Sequence, residues 1–482
     1  MSGATNPSGM VSRALACVDL LIEHKVDCFD ENDIAPNVVA LRKILAENET
    51  PAVEPVGART DFIEWLTQAY GRVQNETLLG ELTWIVTNLT SGSHDIVERF
   101  IKANFFEVFA QRLEGPREET TLLNMIWALG NVVGDGPEGR DFILNSFIAD
   151  NVIQTVLNIF PSLKPETQDI FWWFLSNCLR GKPHPPLAPT KQIAQIAIEA
   201  ITTGSLVSMR KAIPRATWST SVEPGSEQDR LTFTSSGLID VWWALSYASD
   251  SEFHAKVMLT RPAFVNVLFY YLSQAISPTC GKLLTPILRV LGNLVASADP
   301  AVLFSPVYRC FEILFAILDS PQKSNQHREV LWILSNIIAD GNGVTHVPNH
   351  INSIRRVLST FLDHRDHGIR KEACWIVGNL ISSNLPQELK ASVIETLKHT
   401  SSRAKTTLEE MAQSCTDIRE YLPEIMAGSV DNQNSHEPVP NVDEEDEDED
   451  AHVYADAEAA EMPQPQHDDE PEDDQNFVAE LF

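Results

Sequence analysis

"NMIWALGNVVGDGPEG", Asn124 to Gly139, decides the fold. Its last six residues spell Gly-x-Gly-x-x-Gly, a loop that cradles a dinucleotide pyrophosphate when it follows a strand and opens a helix. The ten residues before it, "NMIWALGNVV", carry apolar side chains at helical spacing instead. The glycines are then expected to be punctuation, with Gly134 and Gly136 stopping the helix, and Asp135 between them would repel phosphate.

The same template recurs along the chain. Aligned on one position it reads "ELTWIVTNLTSG" (81–92), "NMIWALGNVVGDG" (124–136), "FWWFLSNCLRG" (171–181), "DVWWALSYASDS" (240–251), "PILRVLGNLVAS" (286–297), "EVLWILSNIIADG" (329–341) and "EACWIVGNLISS" (372–383). The anchors Trp84, Trp127, Trp173, Trp243, Arg289, Trp332 and Trp375 stand 43, 46, 70, 46, 43 and 43 residues apart. A period of about 42 to 47 predicts an all-α, right-handed solenoid of the armadillo or HEAT kind, of about ten repeats. The long interval, with its polar, turn-rich "TWSTSVEPGSEQDRLTFTSS", predicts an insertion at about 198–232. The expected layout is a disordered stretch over 1–11, the solenoid over 12–428 and a disordered acidic tail over 429–482.

In five segments Asn follows Trp by four positions: Trp84 and Asn88, Trp127 and Asn131, Trp173 and Asn177, Trp332 and Asn336, Trp375 and Asn379. That spacing puts both on one helical face. In a single repeat the ordinary reading is a core indole beside a structural amide. Five recurrences favour a second reading, because helices stacked about 8 to 10 Å apart come close to three residues of extended chain at about 3.3 Å each. A column of carboxamides can therefore pair with peptide N–H and C=O groups whatever the side chains. Indole faces beside them form slots for aliphatic stems ending in a cation. The acids placed to select that cation are Asp135, eight residues after its Trp, and Asp240, Glu329 and Glu372, each three before its anchor. Of the paired tryptophans, Trp173 and Trp243 should face the groove, and Trp172 and Trp242 should pack between helices.

Charge supports a basic ligand. The chain has 482 residues and a net charge of -31, which disfavours nucleic acid and anionic membrane as direct partners. The tail from Ser429 holds 20 acids, including "DEEDEDED" (443–450), and no Lys or Arg, leaving a net -11 on residues 1–428. Seven scattered cysteines suggest neither a disulfide framework nor a zinc site. There is no signal-peptide pattern and no apolar run of spanning length, so cytoplasm and nucleus are the expected locations. Asp363, His364, Asp366 and His367 in "DHRDHG" read as a solvated turn rather than a metal site. No catalytic grouping stands out; no enzyme activity, cofactor or metal is expected.

The runs "WALGNVVGDGPEGRDFIL", "WFLSNCLRGKPHPP", "WALSYASD", "ILRVLGNLV" and "KEACWIVGNL" resemble importin-α, the armadillo-repeat adaptor for nuclear localisation signals, over roughly residues 37–425. The family's irregularities recur as well: Tyr247 where Asn is usual, and Arg289 where Trp is usual. The resemblance implies a major peptide site of Trp84, Asn88, Gly92, Trp127, Asn131, Asp135, Trp173 and Asn177, with Asp240 nearby, in which Asp135 takes the critical lysine. It implies a minor site of Asn293, Glu329, Trp332, Asn336, Glu372, Trp375 and Asn379, with Arg180, Tyr247 and Arg289 between the two. Implied partners are the basic signals of cargo proteins, importin-β, and a recycling exportin that would meet the acidic tail. The departure is at the front. Residues 1–60 hold only Arg13, Lys25, Arg42, Lys43 and Arg59 as basic residues, so the basic importin-β-binding segment is expected to be missing and the groove constitutively open. Two rivals stand beside this reading. A scaffold of the β-catenin kind would need Lys and Arg where this chain places acids. A chaperone shielding histones or ribosomal proteins would use groove and tail without transport.

Overall fold

A computed structural model describes residues 7–25, 30–47, 50–113, 117–213, 216–277, 281–297, 299–321, 324–413 and 416–426. The expected acidic tail lies outside the described residues. Within them the chain is helical, without strands, and its helices form two stacked rows. The first row is a ladder: Glu31–Leu45, Glu76–Thr90, Glu119–Asp135, Pro165–Leu179, Ser235–Ser249, Gly281–Val295, Ser324–Ala339, His367–Ser382 and Ser402–Ala412, each packed on the next. The main contacts between elements run between neighbouring repeats, as in a solenoid, where each unit buries its apolar stripe against the units beside it.

Local chemistry fixes where the ladder helices begin. Asn75, Thr234, Asp366 and Ser401 are N-caps whose side chains accept from the N–H three residues on, at 3.0, 3.0, 3.1 and 3.3 Å. A second device works between repeats. The Glu31 carboxylate, opening one ladder helix, accepts from the N–H groups of Gln74 (2.7 Å) and Asn75 (3.0 Å) at the start of the next. Glu119 does the same for the N–H of Lys164 and the hydroxyl of Thr167 (2.9 Å). Each carboxylate lies beside the positive end of the following helix, so repeat spacing and capping are set together.

Large aromatics fill the space between the rows. Trp172 and Trp242 are fully buried, Trp172 among Phe160, Phe171 and Phe233, and Trp242 against Phe264 and Tyr271. Truncating such a residue to alanine costs about 3–5 kcal/mol. Trp173 and Trp243 turn the other way and stay partly exposed, as the i, i+1 geometry requires.

Three expectations are corrected. The first helix is Pro7–Glu23, so residues 7–11 are ordered: Met10, Ala14, Val18 and Leu21 form a buried stripe against Glu31–Leu45. The insertion begins later than 198, because the helix Leu187–Thr203 buries Ile198, Ala200 and Ile201, and a short helix Leu206–Lys211 follows. The irregular part after it is tied down rather than loose. Arg210 donates to the carbonyls of Leu157, Asn158 and Thr220 and lies 5.0 Å from the Trp218 ring centre, while Asp229 accepts from Ser205, Val207 and Gly225. Because Pro165–Leu179 packs directly on Ser235–Ser249, the insertion is looped out without breaking the ladder. Finally, Gly134 is not a helix stop. The helix runs through Asp135, and Pro137 starts the next one after an extended Gly136. Gly139 is needed for close approach, since a Cβ there would sit 2.3 Å from the Val132 carbonyl oxygen.

Candidate functional site

The Trp and Asn side chains project from one face of the ladder, and their spacing has a structural logic visible in the residue three after each anchor. Trp173 lies against Gly130 and Trp332 against Gly292: a Cβ on either glycine would come within 2.0 and 1.9 Å of the indole. Thr87, Ser176, Ser246 and Ser335, all buried, take that position in other repeats. A small residue there lets the next indole lie across the helix. Trp84, Trp127, Trp173, Trp243 and Trp332 are partly buried in this way, and Trp375 is 37% exposed.

The backbone carbonyl of that same small residue receives the next asparagine. Asn131 Nδ2 donates to Thr87 O (3.1 Å) and Thr90 Oγ1 (3.3 Å), and Asn177 Nδ2 to Gly130 O (3.4 Å). Asn293 Nδ2 donates to Ser246 O (3.1 Å) and Ser249 Oγ (3.1 Å), and Asn379 Nδ2 to Ser335 O (2.8 Å). The amide nitrogen therefore clamps each helix to the one before it, while none of the described hydrogen bonds uses the four side-chain oxygens. Asn88 differs: its Nδ2 is enclosed and has no hydrogen-bond partner. Part of the amide's role is thus structural, and what it retains for a ligand is the carboxamide oxygen and its remaining N–H capacity.

The acids fall into distinct states. Asp135 is largely enclosed (12% exposed) and its Oδ2 stands 2.6 Å from Nδ1 of the more exposed His94. That hydrogen bond, with the Asp135 charge, raises the His94 pKa, and Glu138 and Glu98 add to it. Asp240 is not an open rim acid. Burial pushes its carboxyl well above the usual carboxylate range and the neighbouring Asp169 pushes it further. Asp169, held by the Thr234 hydroxyl at 2.6 Å, is itself raised to about 6, chiefly by burial. Burial likewise raises Glu372. Glu329 is engaged: Arg289 Nε donates to its Oε1 at 3.0 Å, and the guanidinium lies 5.8 Å from the Trp243 ring, which stacks on Tyr247. Gly92 sits where a Cβ would press on Ile96 and Val53 at 2.8 Å, so its smallness has a packing cause.

Asn293, Glu329, Trp332 and Glu372 come together around one cavity of about 530 Å³ at the centre of this face, with Tyr247, Arg289, Arg328, Lys182, His184 and Asp250 also lining it. Lys182 pairs with Asp250 and lies 2.8 Å from His184. Asp363, His364, Asp366 and His367 are used in the turn itself. Asp366 caps its helix, Asp363 accepts from the Ser401 N–H, His364 accepts from the Asp366 N–H, and His367 meets Glu410.

Residues missed in the sequence complete the face. Arg42 stands one period before Trp84, at the anchor position of the first ladder helix, and forms a two-pronged ion pair with Glu81 (2.7 and 3.2 Å) while its guanidinium covers the Trp84 ring at 4.6 Å. The 42-residue offset and the Glu three before Trp84 were the available signals. His94 had none, since only stacking brings it to Asp135.

This fold and face define a helical-repeat protein of the armadillo class. No model of a known protein family matches the chain. It is similar to importin subunit alpha-1b of Oryza sativa subsp. japonica (27% identical over 294 residues, 60% of this chain and 47% of that protein). It is also similar to two importin alpha subunits of Arabidopsis thaliana: alpha-9 (26% identical, 66% and 56%) and alpha-5 (27%, 72% and 60%). The solved structure of an engineered protein shares the fold, with a TM-score of 0.54 and 14% identity over 86% of this chain and 98% of that one. The chain spans about half the length of the curated relatives it matches. Its sequence likeness is thus to importin alpha subunits, and its fold is an armadillo-type helical repeat.

Proposed function

We propose that the Trp/Asn face binds extended Lys/Arg-rich segments of other proteins, and that the chain serves as a nuclear import adaptor moving between cytoplasm and nucleus. One observation carries the reading: the face already binds cations of its own. Arg42 on Trp84 and Glu81, and Arg289 beside Trp243 and Glu329, are each a guanidinium held by an indole face and a carboxylate three residues before a Trp anchor. A lysine or arginine from an extended peptide would meet the same chemistry at the remaining indoles, with Asp135 as the principal carboxylate and the Asn column fixing the peptide backbone. The proposed ligand residues are Trp84, Asn88, Trp127, Asn131, Asp135, Trp173 and Asn177 in the first half, and Trp332, Asn336, Glu372, Trp375 and Asn379 in the second.

Fluorescence anisotropy with a labelled Lys-rich signal peptide tests the reading. Saturable binding that weakens with added salt is expected, because rim charges are partly screened. Binding equal to that of a peptide with every Lys replaced by Ser would end it. Repeating the titration with importin-β separates an adaptor coupled to importin-β from a groove that binds signals alone.

A further inference from the structure

The ladder face carries its own two arginines at opposite ends of one run of indoles. Arg42 precedes Trp84 and Arg289 follows Trp243, so the run Trp84, Trp127, Trp173, Trp243 is bracketed on both sides by guanidinium groups. Both arginines stand at the anchor position of their helix. Both reach forward to the acid three before the next anchor, Glu81 or Glu329. Both ion pairs are four-fifths enclosed or more: Arg42 and Glu81 are 17% and 20% exposed, and Arg289 and Glu329 are 19% and 13%.

We infer that Arg42 determines ligand length: it occupies the slot ahead of Trp84 as a permanent internal cation and ends the basic groove there. The inference rests on the proposed peptide function and adds which positions of that groove accept a ligand cation. A slot on this face is an indole surface with a carboxylate beside it, and at Trp84 both are present. What excludes a ligand lysine from the outer face of Trp84 is that the guanidinium already covers the ring and satisfies both oxygens of Glu81. A two-pronged arginine pair is geometrically matched to the carboxylate, and an ammonium point charge cannot displace it by better geometry. The intervals between Trp84, Trp127, Trp173 and Trp243 stay available, so a peptide's basic run gains nothing by extending past Trp84.

The test uses the full chain and five labelled peptides: a parent Lys-rich signal, and four versions lengthened by three residues at one terminus or the other, each with one Lys or with Gly and Ser only. Wild-type protein should bind both peptides extended at the Trp84 end within about twofold of the parent. In Arg42→Ala, with Glu81 and the ring uncovered, the Lys extension at one terminus should strengthen binding about five- to tenfold over the Gly-Ser extension, the scale of one indole and carboxylate contact to a cation. Arg42→Gln, which keeps the aliphatic stem on the ring, repeats the measurement should the alanine protein melt early by circular dichroism. Wild-type protein that gains from a Lys extension at the Trp84 end, or variants that do not distinguish Lys from Gly-Ser, would overturn the inference while leaving the peptide function standing. No binding of the parent peptide to wild-type protein would overturn both.

Discussion

The two halves of the ladder face use the same indoles and amides but hold their acids differently. In the first half Asp135, the proposed principal carboxylate, ends its helix and is met by a histidine that is 52% exposed. In the second half Glu329 is held by the enclosed Arg289, and Glu372 is desolvated so that its pKa rises. A histidine partner can leave and lose its charge, whereas an arginine stays charged at every accessible pH. Acid sequence position alone therefore does not rank the two halves. The partner does, and on the proposed function the stronger attraction for a ligand cation is expected at Asp135.

The largest effect that could break this comparison is a reversal of charge. Asp135→Lys should lower affinity for a single-cluster basic peptide by about a hundredfold or more, because an enclosed cation facing another without a counter-charge costs about 3–5 kcal/mol. Glu329→Lys in the second half should cost that peptide less than about threefold, since Arg289 already offsets the acid. Equal losses in the two variants, read by anisotropy, would remove the distinction between the halves.

A smaller effect separates the halves through packing. Gly130→Ala and Gly292→Ala each place a methyl within 2.0 Å of an indole, that of Trp173 or Trp332. Alanine gains about 1 kcal/mol of helix propensity over glycine, but overpacking costs about 1–3 kcal/mol, so both proteins should unfold at lower urea. Only the Gly130 variant, whose displaced ring belongs to the first half, should also weaken the single-cluster peptide, by about tenfold. A Gly292 variant that weakens it equally would mean that the ligand spans both halves.

These contrasts also mark where the sequence stopped being readable. The ladder was legible because its Trp recurs near 43 residues and Asn four later, a pattern that needs only helical geometry. Trp172 and Trp242 could be assigned to the interior by the same rule. The asparagine clamps could not, because their acceptor is a backbone carbonyl, such as Ser335 O, which no side-chain letter marks. Arg42 escaped where Arg289 did not because its repeat lacks both halves of the pattern, with Arg at the Trp position and Ala46 where Asn293 follows Arg289. The states of Asp240 and Asp135 depend on Asp169 and His94, which are 71 and 41 residues away in sequence and meet them only through stacking of repeats.

His94 supplies the finest test of the comparison. Its pKa in the free protein lies above the ordinary histidine value because Asp135 accepts its hydrogen bond, with Glu138 and Glu98 nearby reinforcing the charge. A ligand lysine that takes Asp135 deprives the imidazolium of its partner, so the pKa falls back and a proton is released on binding. The sign follows: affinity is greatest above the raised pKa and declines as pH falls through it, where the peptide must displace a charged histidine. The stability that His94 lends the free protein runs oppositely, complete below the ordinary histidine pKa and lost as pH rises through the raised one. The Asp240 and Glu372 carboxyls are raised as well, so the wild-type profile alone does not isolate the effect. The difference from His94→Ala does. Between about pH 8 and pH 5, the wild-type protein should lose about three- to tenfold more affinity than the variant, a modest change because the pair is partly exposed. The variant should bind more tightly than wild type at the acid end and nearly equally at the alkaline end. Parallel profiles would mean that the ligand leaves the His94 pair intact, and the lysine's place at Asp135 would have to be given up.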